Sequence, residues 1–261
     1  MIIETHAHLD DKRFDADLDE VIKRAFDGGI KAIIIPGADI NDLPKAVKIC
    51  ENYENIYFTV GVHPYHAKDY DEATLLKFAK HKKCIGVGEC GLDYYRLPED
   101  ENEKIEEKNL QKDVFRKHIK IAKKLKKPLI VHIREASKDS RDILIEENAK
   151  EVGGVLHCFN ASELLLDLYE HDFYFGIGGV ITFKNAKKLV KILPKIPIDR
   201  LVVETDAPYL TPHPYRGERN EPLYTTFVIK KIAEILAKTE EEVKNIVFEN
   251  SKNLFKEFNK L

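Results

Sequence analysis

The chain has 261 residues, 43% of them hydrophobic, with a formal net charge of −3. That length suits a single large domain over residues 1–261 with a sizeable core, and α/β barrels typically run to about 250 residues. The charge excludes an overall basic field for nucleic acid, so a polyanionic partner would have to be held by local charge.

The opening MIIETHAHLDD places acid and histidine where a signal peptide would need an apolar core. No apolar run reaches the roughly 18 residues of a membrane helix. Cys50, Cys84, Cys90 and Cys158 have no CxxC spacing and read as small buried hydrophobes of a reducing compartment. The expectation is a cytoplasmic protein. Abundant Lys and Glu, with one Met, no Trp and one Gln, fit a heat-adapted chain rich in surface ion pairs.

Eight apolar runs alternate with amphipathic stretches. The predicted strands are Ile2–His6, Ala32–Pro36, Tyr57–Gly61, Cys84–Glu89, Leu129–Ile133, Gly154–Cys158, Phe173–Ile177 and Leu201–Thr205. Each is a continuous run of Ile, Val, Leu or Phe, as in a parallel strand covered on both faces. The predicted helices are Asp17–Asp27, Leu43–Asn52, Asp71–Lys82, Ile105–Lys126, Ser137–Asn148, Ser162–Glu170, Asn185–Ile192, Leu223–Ala237 and Thr239–Phe248. The last opens with a capping box, Thr239 to Glu242. The polar run Glu99–Lys108 reads as a solvated loop entering a long helix. Strands alternating with helices eight times imply a TIM-type (β/α)8 barrel with an extra C-terminal helix.

Six potential metal ligands stand where these strands end: His6, His8, Glu89, His132, His157 and Asp206. Core packing has no reason to place acids and imidazoles there, whereas barrel active sites sit at that face. His6 and His8, two apart, would share one side of a strand roughly 6.6 to 6.8 Å apart at Cα. Glu89 lies in Gly-Val-Gly-Glu-Cys-Gly, whose glycines would let backbone approach something bulky, and a carboxylate there can bridge two ions. Nitrogen and oxygen donors without thiolate fit Zn, Mn, Mg or Ni. Six ligands suit two divalent ions better than one.

His63, ending the third strand, is expected to contact substrate or move a proton. His66, His81, His118, His171 and His213 read as surface groups. Arg134, Arg216 and Arg219 could fork onto phosphate oxygens, or form internal ion pairs with Glu218, Glu221 or Glu204. Tyr94, Tyr209 and Phe159 could stack on a nucleobase or pack the rim.

Seven segments then resemble the TatD family of metal-dependent deoxyribonucleases, within the amidohydrolase-like barrels. They are Thr-His-Ala-His-Leu-Asp (5–10), Gly-Val-His-Pro (61–64), Gly-Glu-Cys-Gly-Leu-Asp-Tyr (88–94), His-Ile-Arg-Glu-Ala (132–136), His-Cys-Phe (157–159), Glu-Thr-Asp-Ala-Pro-Tyr-Leu (204–210) and Arg-Gly-Glu-Arg-Asn-Glu-Pro (216–222). The resemblance implies a two-metal barrel in which His6, His8 and Asp206 hold one ion, His132 and His157 the other, and Glu89 bridges. Glu4 stands where the family usually has Asp. Members cleave DNA as exonucleases or at abasic sites, and some relatives deacylate D-aminoacyl-tRNA. The expected activity is hydrolysis of DNA phosphodiester bonds through a two-metal-activated water, with Asp206 as general base. The alternative is a metal-dependent ester or amide hydrolase on the same barrel, such as a D-aminoacyl-tRNA deacylase. No obligate protein partner is implied.

Overall fold

The structure, a computed structural model, describes residues 1–261. Eight strands form one parallel sheet in sequence order: β1 (Ile2–Glu4), β2 (Ile30–Ile35), β3 (Ile56–Val60), β4 (Cys84–Asp93), β5 (Leu129–Arg134), β6 (Gly154–Leu156), β7 (Phe173–Ile177) and β8 (Leu201–Val203). The seam between β1 and β8 is closed by Thr5 N–H to Val203 O (3.3 Å), Asp206 N–H to His6 O (2.9 Å) and His8 N–H to Ala207 O (2.7 Å). The expected TIM-type barrel is therefore the observed one.

Around it run α1 (Leu18–Asp27), α2 (Leu43–Asn52), α3 (Glu72–Ala79), α4 (Glu101–Leu125), α5 (Ser137–Glu146), α6 (Lys187–Ile192), α7 (Thr225–Leu236) and α8 (Glu240–Leu254). The stretch between β6 and β7, expected as an α-helix, is a 3-10 run over Glu163–His171. Helix α4 begins four residues before Ile105, because Asp100 accepts the backbone N–H groups of Asn102 and Glu103 as its cap. Part of the supposed loop is thus its first turns. No helix is long and apolar enough to cross a membrane.

Strand alternation sorts the core into two compartments. The larger cluster, 57 buried residues, lies between the strands and the apolar faces of the helices. The smaller holds 12, including Ile3, Ile34, Ile85, Ile130, Val155, Tyr174 and Val202. Side chains from so many strands can meet only on the barrel axis. Phe255 and Phe258 join this cluster and are fully buried, so the C-terminal segment seals one end. The helix expected to stop at Phe248 continues to Leu254. Its polar residues Asn250 and Ser251 look like a stop in sequence, yet both are buried and bonded: Asn250 donates to Ile198 O and Leu201 O, Ser251 to Val247 O.

Candidate active site

The six candidate ligands converge at the open end, mostly just past the strands rather than on them. β1 stops at Glu4, β6 at Leu156 and β8 at Val203, so His6, His8, His157 and Asp206 ride on the segments that follow. Strand β4 runs on to Asp93 with every residue buried, and its register against β5 shifts between Val87 and Cys90, which places Glu89 in the irregular stretch. The flanking glycines serve this backbone rather than a ligand. Gly88 and Gly91 have φ of 143° and 137°, and a Cβ at Gly91 would meet His132 O at 2.0 Å.

Glu89 is the hub. Its Oε2 lies 3.3 Å from His6 Nε2 and 3.7 Å from His8 Nε2. Its Oε1 lies 3.0 Å from His132 Nδ1, 3.7 Å from His63 Nε2 and 3.9 Å from His157 Nε2. Asp206 Oδ1 is 3.4 Å from His8 Nε2, 3.7 Å from His6 Nε2 and 4.0 Å from His157 Nε2. The Nε2 atoms of His6 and His8 stand 3.3 Å apart. Burial disfavours charge on Glu89, yet His6 and His132 outweigh it and hold the carboxyl well below its usual range. Burial likewise opposes protonation of His8 and His157. Asp206 and Glu89 nevertheless raise His8 to about 9. Glu204, Glu89 and Asp206 raise His157 to about 10.

Outer partners fix the rings. Asp93 Oδ2 takes His132 Nε2 at 2.9 Å, leaving Nδ1 to face Glu89. Glu204 Oε1 lies 2.9 Å from His157 Nδ1, off hydrogen-bond alignment, so Nε2 faces the centre. Glu4 Oε1 accepts the N–H groups of His6 and Thr205, both at 3.0 Å, and so ties the two sides of the seam together. His6 Nδ1 is buried without a partner. A converging set of ring nitrogens and carboxylate oxygens, with the outer ring nitrogens of His132 and His157 turned to acids, is what a divalent cation requires. Asp93 was not foreseen as functional, although it shares the alternation of Glu89 and Gly91 along β4.

A cavity of about 770 Å³ opens above this centre, and His63, Arg134, Tyr209 and Phe159 line it. Three expected substrate contacts do not. Tyr94 points outward and donates to Asp139 at 2.8 Å. Arg219 donates to Asp17 at 2.7 and 2.6 Å, an acid too distant in sequence to have been anticipated. Arg216 stays on the outer rim over Phe183. His118, expected at the surface, is fully buried: its Nε2 accepts the N–H of Val62 at 3.0 Å and its Nδ1 donates to Val114 O at 2.8 Å.

Comparison with known proteins decides the family. The model of TatD-related DNases matches residues 3–256. The chain belongs to the TatD-related DNase family. It is 42% identical to the "uncharacterized metal-dependent hydrolase YabD" of Bacillus subtilis, over 98% of this chain and 99% of that one. It is 32% identical to the "3'-5' ssDNA/RNA exonuclease TatD" of Shigella flexneri, over 87% and 88%. The crystal structure of the TatD homologue YjjV of Escherichia coli superposes with a TM-score of 0.87 at 25% identity, covering 98% of both chains. This TatD-family chain is a metal-dependent hydrolase acting on ester bonds.

Proposed function

We propose that this hydrolase cleaves phosphodiester bonds of DNA at a centre for two divalent cations, of the Zn, Mn, Mg or Ni class. The observation that carries the reading is the division of Glu89: one oxygen faces His6 and His8, the other His132, His63 and His157. His6, His8 and Asp206 would hold one cation, His132 and His157 the other, and Glu89 would offer an oxygen to each. Bound cations supply charge to the phosphate and a more acidic water.

The chain's own groups do the rest. Burial works against the charge of Asp206, but His8, His157 and His6 keep its carboxyl below the usual range. Asp206 is therefore ionised at pH 7 and placed to take the proton of the attacking water. Burial, and then the charge of His132, push His63 down to about 3, so it is neutral. Its Nδ1 accepts the N–H of Tyr65 at 3.1 Å, which leaves the hydrogen on Nε2. His63 thus donates a hydrogen bond to a phosphate oxygen rather than a proton to the leaving group. Membership of the family, together with the exonuclease name of one relative, favours a phosphodiester over a carboxylic ester.

The test is Asp206→Asn with bound metal measured. Turnover of single- and double-stranded DNA should fall by about 10²–10⁴-fold when manganese or magnesium is raised until the variant binds as much cation as wild type. Near-wild-type turnover would remove Asp206 from this role. Wild-type activity confined to carboxylic esters or D-aminoacyl-tRNA would replace the substrate.

A further inference from the structure

Of the nine arginines in the chain, six are in ion pairs with carboxylates. Arg96, Arg134 and Arg216 are not. All three lie at the open end, on the segments after β4, at the end of β5 and after β8. Each sits over an aromatic ring: Arg134 at 3.6 Å from the centre of Tyr95, Arg216 at 3.9 Å from Phe183, and Arg96 at 5.7 Å from Tyr65. With 45 acidic residues against 42 basic ones, carboxylates are plentiful. Leaving these three guanidinium groups without a carboxylate at one end, Arg216 donating only to Thr211 O at 3.1 Å, is a selective arrangement.

Two of the pairs adjoin the centre. Arg96, Arg134 and Tyr65 line the cavity. Tyr65 packs edge-on against His63 at 4.9 Å between ring centres, and His63 stands 4.4 Å from His132. Tyr95 is anchored by its N–H to Asp93 Oδ1 at 2.9 Å, the same acid that holds His132. Tyr65 and Tyr95 are 39% and 52% exposed, far more than packing would require. An exposed tyrosine ring is a stacking surface for a nucleobase, and an arginine lying beside it turns its N–H edge to a phosphate.

We infer that Tyr65–Arg96 and Tyr95–Arg134 form a subsite on the β3–β5 side of the mouth for the nucleotides adjoining the cleaved bond. The arginines take backbone phosphates and the tyrosines stack bases. The inference rests on the phosphodiesterase reading above, and it adds an extended polynucleotide contact to that reading.

The experiment has two arms. In the first, fluorescence anisotropy follows a labelled thymidine octamer in EDTA between 50 and 200 mM salt, where nothing is cleaved. Arg96→Ala/Arg134→Ala should raise Kd at least about tenfold and flatten the log–log salt slope by about 1.4, two phosphates at about 0.7 each. Tyr65→Ala/Tyr95→Ala should raise Kd by a similar factor with the slope kept. Arg200→Ala/Lys256→Ala, an equal charge change in the groove at the far end of the barrel, should match wild type. An equal loss in that control, or unchanged binding in both mouth variants, overturns the inference. In the second arm, kcat/KM for the octamer is divided by kcat/KM for the p-nitrophenyl ester of thymidine 5'-phosphate. Wild type should favour the octamer, and both mouth variants should lower the ratio about tenfold. A small diester cleaved as well as the octamer by wild type sinks the subsite alone. Cleavage of neither substrate with saturating manganese sinks the phosphodiesterase reading and the subsite with it.

Discussion

At the sealed end of the barrel, Phe255 and Phe258 share an apolar cluster with Ile3, Ile85, Ile130 and Val202. At the open end, β4, β5 and the segments following β1, β6 and β8 present six ionisable ligand candidates, and some backbone there is left-handed, with φ of 44° at Cys158 and 58° at Asp206. Such conformations cost about 1–3 kcal/mol each in non-glycine residues. One end gains free energy from apolar burial. The other holds charges and backbone that would not persist alone. The division explains why the mouth can be polar: the apolar layers around and beneath it carry the stability.

Phe255→Ala tests that division most severely. It should cost about 3–5 kcal/mol in unfolding free energy, read by urea titration, while kcat/KM of the folded protein changes little. Lost activity at full stability would show that the two ends are not separable. His118, on α4 and bonded to Val62 just after β3, should give the next largest effect, through its response to acid. Burial lowers it to about 4, below the ordinary value, so the unfolded chain binds protons first as pH falls. Stability is full above about 6.5 and is lost toward 4, with roughly 2 kcal/mol gone by pH 5. The difference in urea midpoint between pH 7.5 and 5 should therefore be smaller in His118→Gln than in wild type. An equal difference would mean His118 does not carry the acid sensitivity. Asp93→Asn should act on the mouth alone, weakening cation affinity about 10–100-fold in a competition titration with a chelating dye. A melting temperature that falls while cation affinity holds would make Asp93 structural.

Much of this arrangement was legible in the sequence. Parallel strands buried on both faces leave long apolar runs, so the positions of β5 and β7 could be read closely, and the histidines and acids stand out where those runs end. What could not be read depended on direction or on distant partners. Tyr94 and Tyr95 are adjacent and chemically alike, yet one turns outward to Asp139 and the other toward Arg134. Arg219 finds Asp17, 202 positions away. The seal of Phe255 and Phe258 follows two polar residues whose partners lie near β8 or within α8 itself, so nothing local announces that the chain continues inward.

The seam between β1 and β8 has a further consequence. Its closure joins Thr5 to Val203, 198 positions apart, and His6 and His8 stand on one side of it with Asp206 on the other. A cation shared by these three would act as a clasp across the weakest join of the cylinder. Occupancy of that position would then be coupled to the integrity of the whole ring, and the first and last strands would breathe apart more readily whenever the clasp is undone.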